Sequence, residues 1–377
     1  MTRLTDLFTQ QGQSPWIDDL KRSYVRQGGL AELAELGIRG VTSNPSIMTK
    51  AIEAGTDYDE QFGELIRADV PIEDAYWELV LADVTGALDI LRPLYNSSKG
   101  GDGFVSVEVA PDLAHDTEGT IASARSLHSR IDRPNLFVKI PATTEGIPAI
   151  EEMIASGKKI NVTLIFSLER YEAVIEAYLT GLERLISSGG DASSVASVAS
   201  FFVSRVDTEV DRRLEAIAGE EPGAPRSKQA LDLRGKAALA QARVAYSIFQ
   251  DRFSTARFEA LTKKGARTQR PLWASTSTKN PSYPDLLYVN GLIGPDTVDT
   301  MPYDTAQAFL DHGTLARTVD SGIAEEKEVL SSLAEVGVDL DDVTLQLENE
   351  GVAAFAKSFD ELHERLEEKA AALRSSP

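Results

Sequence analysis

The pattern that most narrows the fold is a repeated alternation of short apolar runs, rich in β-branched and aromatic residues, with longer segments of helical spacing. The runs fall near 15–18, 38–43, 103–109, 135–140, 160–166, 195–203, 271–276 and 296–300, and their lengths and bounding turn residues predict strands. The intervening segments predict helices; residues 170–186, for example, put Tyr171, Val174, Ile175, Tyr178, Leu179, Leu182 and Leu185 on one face. Strands separated by helices pair in parallel, with the helices packed outside. Eight such units in 377 residues predict an α/β fold of the (β/α)8, or TIM, barrel type. An open doubly wound sheet is the alternative, but neither a G-x-G-x-x-G nor a Walker pattern supports it. The eighth strand is the least well marked, because 284–293 is apolar enough to compete with 296–300.

Two regions exceed a minimal barrel. Residues 69–98 read as a long helix headed by Pro71, and 218–229 as an exposed loop. From about 321 to 377 the chain is helical and acidic, with Val352, Phe355, Phe359, Leu362 and Leu366 on one stripe. Packing on the barrel body is the expectation for this stripe and a dimer seam its rival, so monomer and homodimer both stay open. Neither region reads as a linker, and residues 1–377 are expected to form one barrel domain with a helical C-terminal extension.

Composition excludes several functions. The chain has no cysteine, which removes thiolate nucleophiles, disulfides and cysteine metal sites. Its formal charge of −21 argues against nucleic-acid binding, which needs a basic footprint. A small anionic substrate is compatible, provided that local bases overcome the repulsive field. No segment approaches the ~20 apolar residues needed to cross a membrane, and residues 1–16 lack a signal-like apolar core. The expectation is a soluble, cytoplasmic protein without nucleic-acid or membrane partners.

In a barrel, side chains at the C-terminal strand ends share one mouth. Here the first run ends in Asp18, the second in Thr42-Ser43-Asn44-Pro45-Ser46, and the third in Glu108. The fourth carries Lys139 within Leu136-Phe137-Val138-Lys139-Ile140-Pro141-Ala142-Thr143, the fifth Asn161 and Thr163, the sixth Ser200, Phe202 and Arg205, and the seventh Ser277 and Lys279. A lysine inside an apolar strand is drawn into a desolvated place, which disfavours the charged form. Only the neutral amine adds to a carbonyl, so Lys139 is a candidate Schiff-base former. Asp18 or Glu108 could move the proton released when a carbon–carbon bond breaks, one acting at the substrate hydroxyl and the other through water. Ser200, Arg205, Ser277 and Lys279 suit a phosphate, with Phe202 as core or pocket wall. Metal chemistry scores poorly, because His115, His128, His312 and His363 are widely separated; His128 and His363 are expected on solvated helix surfaces.

These ordered motifs resemble the transaldolase family, in its longer bacterial branch, over about residues 3–370. Thr42-Ser43-Asn44-Pro45-Ser46 looks like the family's T-[ST]-N-P-S signature and 136–143 like its active-site lysine segment. The resemblance implies a class I aldolase-type barrel without metal or organic cofactor. The implied reaction moves a dihydroxyacetone unit from sedoheptulose 7-phosphate to glyceraldehyde 3-phosphate, giving erythrose 4-phosphate and fructose 6-phosphate in the pentose phosphate pathway. It makes Lys139 the Schiff-base lysine and Asp18 the acid/base, gives Glu108 and Thr163 the catalytic water, and sets Asn44 and Asn161 against the dihydroxyacetone unit. Ser200, Arg205, Ser277 and Lys279 match phosphate-binding positions and Phe202 the wall beside them. Lys279 stands where shorter members have arginine, and Ser200-Phe201-Phe202 replaces a Ser-Pro-Phe pattern. An aldolase releasing free dihydroxyacetone and a non-catalytic sugar-phosphate-binding barrel are the competing readings.

Overall fold

The computed structural model describes residues 2–53 and 55–375; Met1, Ala54 and residues 376–377, where the expected C-terminal extension ends, lie outside them. Eight parallel strands close in sequence order: β1 (Gln13–Ile17), β2 (Gly40–Val41), β3 (Phe104–Glu108), β4 (Leu136–Pro141), β5 (Ile160–Ile165), β6 (Ser197–Phe202), β7 (Arg270–Ala274) and β8 (Thr297–Met301). β8 pairs back onto β1 over five registered residues. Each predicted run overlaps one strand, and the eighth strand is the 296–300 candidate. The competing stretch, 284–293, folds instead as loop and the short helix Leu287–Gly291. β2 is shorter than its apolar run, yet the ladder continues at both ends through Arg39 N–H to Pro15 O at 2.8 Å and Thr42 N–H to Ile17 O at 2.9 Å.

The N-terminal half of the barrel interior is filled by rings. Phe104 and Phe137 stack with centroids 4.2 Å apart, and Trp16 lies 6.2 and 6.1 Å from them. This packing dictates Gly40, because a Cβ there would come within 2.4 Å of the Trp16 indole. The indole cannot easily yield, since its Nε1–H donates to the buried Asp102 at 3.2 Å. Above this apolar plug the interior turns polar, and that layer is the mouth.

Helices cover the outside. In the helix Leu168–Ser187 the seven residues of the predicted face are all buried, and Ser167 caps it by accepting from the Arg170 N–H at 3.0 Å. The helix Ile72–Ser97 fills the predicted 69–98 region. The expected 218–229 loop is mostly helical: Ser204–Glu220 runs into it and a further helix starts at Pro225, where a missing N–H costs nothing. Irregular chain is confined to 221–224.

The C-terminal region forms the helices Ile323–Glu335 and Leu340–Ser375. The long one lays its stripe on the barrel body: Phe355, Leu362 and Leu366 are buried, and Phe359 meets Tyr76 edge-on at 5.3 Å. Two histidine expectations are corrected by this packing. His363 stacks on Phe359 at 4.5 Å with its Nε2 buried. His128 is half-buried against Lys159 O at 3.2 Å, and burial, aided by Lys158 and Lys159, pushes its pKa down to about 4. Among the described residues, no helix is long and apolar enough to cross a membrane.

Replacing Gly40 by alanine tests whether the Trp16 plug is as rigid as this geometry requires. Overpacking against a pinned ring should cost roughly 1–3 kcal/mol, read as a lower urea midpoint for unfolding. An unchanged midpoint would mean that the indole moves aside freely.

Candidate active site

Register builds the site. Glu108 of β3 pairs with Lys139 of β4, and Lys139 pairs with Asn161 of β5. Paired residues of a parallel ladder project to the same face, so these three side chains stand abreast. Lys139 is 4% exposed and Glu108 7%, close to complete removal from water for a charged pair. The Lys139 Nζ lies 3.0 Å from Glu108 Oε2 and donates to Ser43 O at 3.0 Å. The contact with Glu108 is a buried ion pair, and a carboxylate oxygen so engaged still has a lone pair with which to accept from water. Burial raises the Glu108 pKa, and the charge of Lys139 opposes the rise.

Asp18, one residue past β1, faces the same space. Burial raises its pKa, with Lys139, Thr42 and Arg205 pulling the other way. The Thr42 hydroxyl donates to Asp18 Oδ1 at 2.6 Å and also lies 2.6 Å from the Thr300 hydroxyl. Two carboxylates held above their usual range in one partly desolvated pocket can exchange protons near neutral pH. On the other side of Lys139, Asn161 is fixed twice: Ser200 Oγ donates to its Oδ1 at 2.7 Å, and its Nδ2 donates to Ser106 Oγ at 3.1 Å. Thr163 is fully buried with an unbonded hydroxyl. Asn44 accepts the Ile47 N–H at 3.0 Å and so heads the helix Pro45–Glu53.

Cations gather on the β6–β7 side. Arg205, in the first turn of the helix Ser204–Glu220, lies with its guanidinium 5.2 Å from the centre of the Phe202 ring. Burial lowers the Arg205 pKa, against the pull of Asp18 and Glu350. Lys279 donates to Ser277 Oγ, and its pKa is lowered first by partial burial and then by Arg205 and Lys50. These positive groups therefore sense one another and Asp18. Of the eleven residues singled out from sequence, Glu108 and Phe202 end their strands, Asp18, Asn44, Arg205, Ser277 and Lys279 follow theirs, and Lys139, Asn161, Thr163 and Ser200 lie within them. Two of their hydroxyls are engaged: Ser200 Oγ donates to Asn161, and Ser277 Oγ accepts from Lys279.

Several contributors were missed. Thr42 stands inside the quoted end of the second run and Ser106 two residues before Glu108, but a lone hydroxyl at such a place carries no independent signal. Thr300 and the Ser43 carbonyl emerge only from closure of the barrel. Lys50 lies on the helix after Asn44, where spacing alone does not reveal its proximity to Lys279.

A (β/α)8 barrel with a buried lysine paired to one carboxylate and within the field of a second, and with cations on the β6–β7 side, is the frame of a carbonyl-handling enzyme. The model of the transaldolase/fructose-6-phosphate aldolase family matches residues 15–366. The chain is 52% identical over 353 residues to a transaldolase of Acidothermus cellulolyticus, covering 93% of this chain and 92% of that one. It is 50% identical over 368 residues to a transaldolase of a Parafrankia species, with 97% of each covered. Transaldolase 1 of Streptomyces coelicolor is 48% identical over 364 residues, which span 96% of this chain and 92% of the relative. The chain belongs to the transaldolase/fructose-6-phosphate aldolase family.

One buried acid outside the pocket supports the cationic rim. Asp299 of β8 is fully buried and accepts from Thr276 Oγ1 at 2.8 Å, which anchors the segment leading to Ser277 and Lys279. Its Oδ2 and the Nε1 of its rung neighbour Trp273 are buried without hydrogen-bond partners among the described residues. Burial pushes the Asp299 pKa up to about 7 from 3.8, the Thr276 bond opposing. Because the folded state holds this proton more tightly, the stabilisation is complete below about pH 4 and lost as pH rises to about 7. Asp299→Asn keeps the acceptor for Thr276 without the titration. Relative to that variant, the wild type should lose a few kcal/mol of unfolding free energy between pH 4 and pH 8. Parallel denaturant-derived stability profiles would rule the titration out.

Proposed function

We propose that this protein is a transaldolase that transfers a dihydroxyacetone unit from sedoheptulose 7-phosphate to glyceraldehyde 3-phosphate through a Schiff base on Lys139. The observation that carries the reading is the rung in which Lys139 stands between Glu108 and Asn161, with Asp18 electrostatically coupled to the same amine. Glu108, acting through the bound water, takes a proton from the Lys139 ammonium; the neutral amine adds to the C2 carbonyl, and the proton returned to the carbinolamine hydroxyl lets it leave as water, giving an iminium. Its electron demand lets the C3–C4 bond break as the C4 hydroxyl passes its proton to Asp18, so that erythrose 4-phosphate leaves and an enamine remains on Lys139. The enamine carbon then attacks the aldehyde of glyceraldehyde 3-phosphate, and Asp18 returns the proton to the new hydroxyl. Water hydrolyses the iminium, frees Lys139 and releases fructose 6-phosphate.

Glu108 and Thr163 hold the water consumed and produced in these steps: the carboxylate oxygen keeps acceptor capacity and the hydroxyl is unbonded. Asn44 and Asn161 take the hydroxyls of the three-carbon unit, Asn161 being held rigid by Ser106 and Ser200. Arg205 and Lys279, with Ser277 and Ser200, grip the phosphate, and Phe202 walls that end. The chemistry requires no metal or organic cofactor and fits the pentose phosphate pathway.

The family also includes aldolases that release dihydroxyacetone to water, and the acceptor decides between the two outcomes. With fructose 6-phosphate as donor, turnover should require added erythrose 4-phosphate; comparable turnover without an acceptor would make the protein an aldolase. Borohydride treatment in the presence of fructose 6-phosphate should leave a reduced three-carbon adduct on Lys139, located by peptide mass mapping. An adduct on another lysine, or none while substrate binds, would sink the mechanism. Lys139→Ala should retain the fold and lose turnover by at least about three orders of magnitude.

A further inference from the structure

At the other end of the barrel from Lys139, the N-terminal strand ends surround a cavity of about 520 Å³. Its wall carries three guanidinium groups, from Arg39, Arg267 and Arg270, together with the hydroxyl-bearing Ser97, Ser98 and Thr268. Two carboxylates accompany them, the buried Asp102 and the exposed Asp296. Asp102 is fully engaged: it accepts from Ser14 Oγ at 2.8 Å, Trp16 Nε1 at 3.2 Å, Arg39 Nε at 2.7 Å and Arg270 at 3.3 Å. It thereby ties the cavity floor to the Trp16 plug and has little capacity left.

Arg267 differs from its neighbours. Its terminal nitrogens donate to Gly100 O at 2.6 Å and Lys99 O at 2.8 Å, both neutral, and among the described residues it has no carboxylate partner. The Arg39 guanidinium lies 3.5 Å from the centre of the Phe8 ring and spends only its Nε on Asp102, leaving both terminal nitrogens unbonded among the described residues. Lys159, just before β5, adds a further cation within reach of Arg267 and also lacks a carboxylate partner among the described residues. Composition does not force this arrangement, because the chain has 59 acidic residues against 38 basic ones. Stapling the 98–103 turn to the barrel floor explains Arg267 and Arg270, but not why Arg39 leaves both terminal nitrogens unbonded at the cavity wall, or why no carboxylate meets Arg267, among the described residues.

We infer that this cavity is a binding site for a phosphate-bearing small molecule, separate from the Lys139 pocket. Guanidinium forks pair with phosphate oxygens in a bidentate manner, the hydroxyls supply further donors, and the volume suits a small ligand. The anion would complete the pairing that Asp102 cannot.

The test is calorimetric titration of the full chain with inorganic pyrophosphate, in an Arg205→Ala background that weakens binding at the catalytic mouth. Arg267→Gln should weaken the remaining binding by about tenfold or more. Because Arg267 also holds the 98–101 turn, a second variant avoids that role: Asp296→Asn removes a negative charge from the cavity wall, and asparagine tolerates the left-handed backbone found there, φ 57°. It should tighten pyrophosphate binding several-fold. Affinity unchanged in both variants overturns the site, and binding of citrate with no binding of pyrophosphate overturns the phosphate assignment.

Discussion

The structure depends on keeping one ion pair inside a closed barrel. Lys139 and Glu108 are withdrawn from water almost completely, and two charges in such a place are tolerable only when each compensates the other. Removing one partner of a buried pair costs about 3–5 kcal/mol, because the other is then stranded. The pair is accordingly braced. The Ser43 carbonyl that receives Lys139 is held by the Ser43 hydroxyl, which donates to Ser106 O at 2.9 Å. Ser106 in turn accepts from Asn161, the next residue on the Lys139 rung. The position of the amine is therefore determined by three strands and the loop after β2, and no single contact sets it.

Beneath that layer the barrel is dry and aromatic, and the division is sharp. Trp16, Phe104 and Phe137 seal the interior, while Gly40 gives the indole its space. Asp102 pins the underside of the plug through Trp16. The seal keeps water from reaching the ion pair from the N-terminal side, so the dielectric around Glu108 and Asp18 stays low. The raised pKa values of both acids follow from that exclusion more than from any charge nearby, since in each case burial is the largest cause.

Much of this was legible in the sequence because barrels obey a positional rule. Apolar runs counted to eight, and polar residues ending a run, Asp18 and Glu108, or interrupting one, Lys139, Asn161 and Thr163, pointed to the mouth without coordinates. What escaped was contact at long sequence separation. Thr300 reaches Thr42 across 258 positions, and no local pattern encodes that pairing. His128 and His363 were misread for a related reason: polar helical neighbours suggested water, whereas the Phe359–Tyr76 contact and the Lys159 carbonyl supplied cover from distant segments. Helical period identifies a face, but tertiary packing decides what lies over it.

The C-terminal helix shows how such distant cover shapes the mouth itself. At one point it bonds to the segment after Asn44: Ser358 Oγ lies 2.6 Å from Ser46 Oγ, and Thr49 Oγ1 donates to Ser358 O at 2.9 Å. Two turns earlier its Gly351 rests on Leu164 and Phe166, so closely that a Cβ would come within 3.0 Å of Leu164. Phe166 packs at 5.0 Å on Phe202, which lies beneath Arg205. Nearer its start, Asp342 pairs with Arg213 at 2.7 Å on the helix that carries Arg205. One rigid element thus touches both the Asn44 side and the Arg205 side of the pocket. Arg205 and Lys279 repel one another and would separate if their supports were loose, so the distance between amine and cations is set by packing that opposes this repulsion.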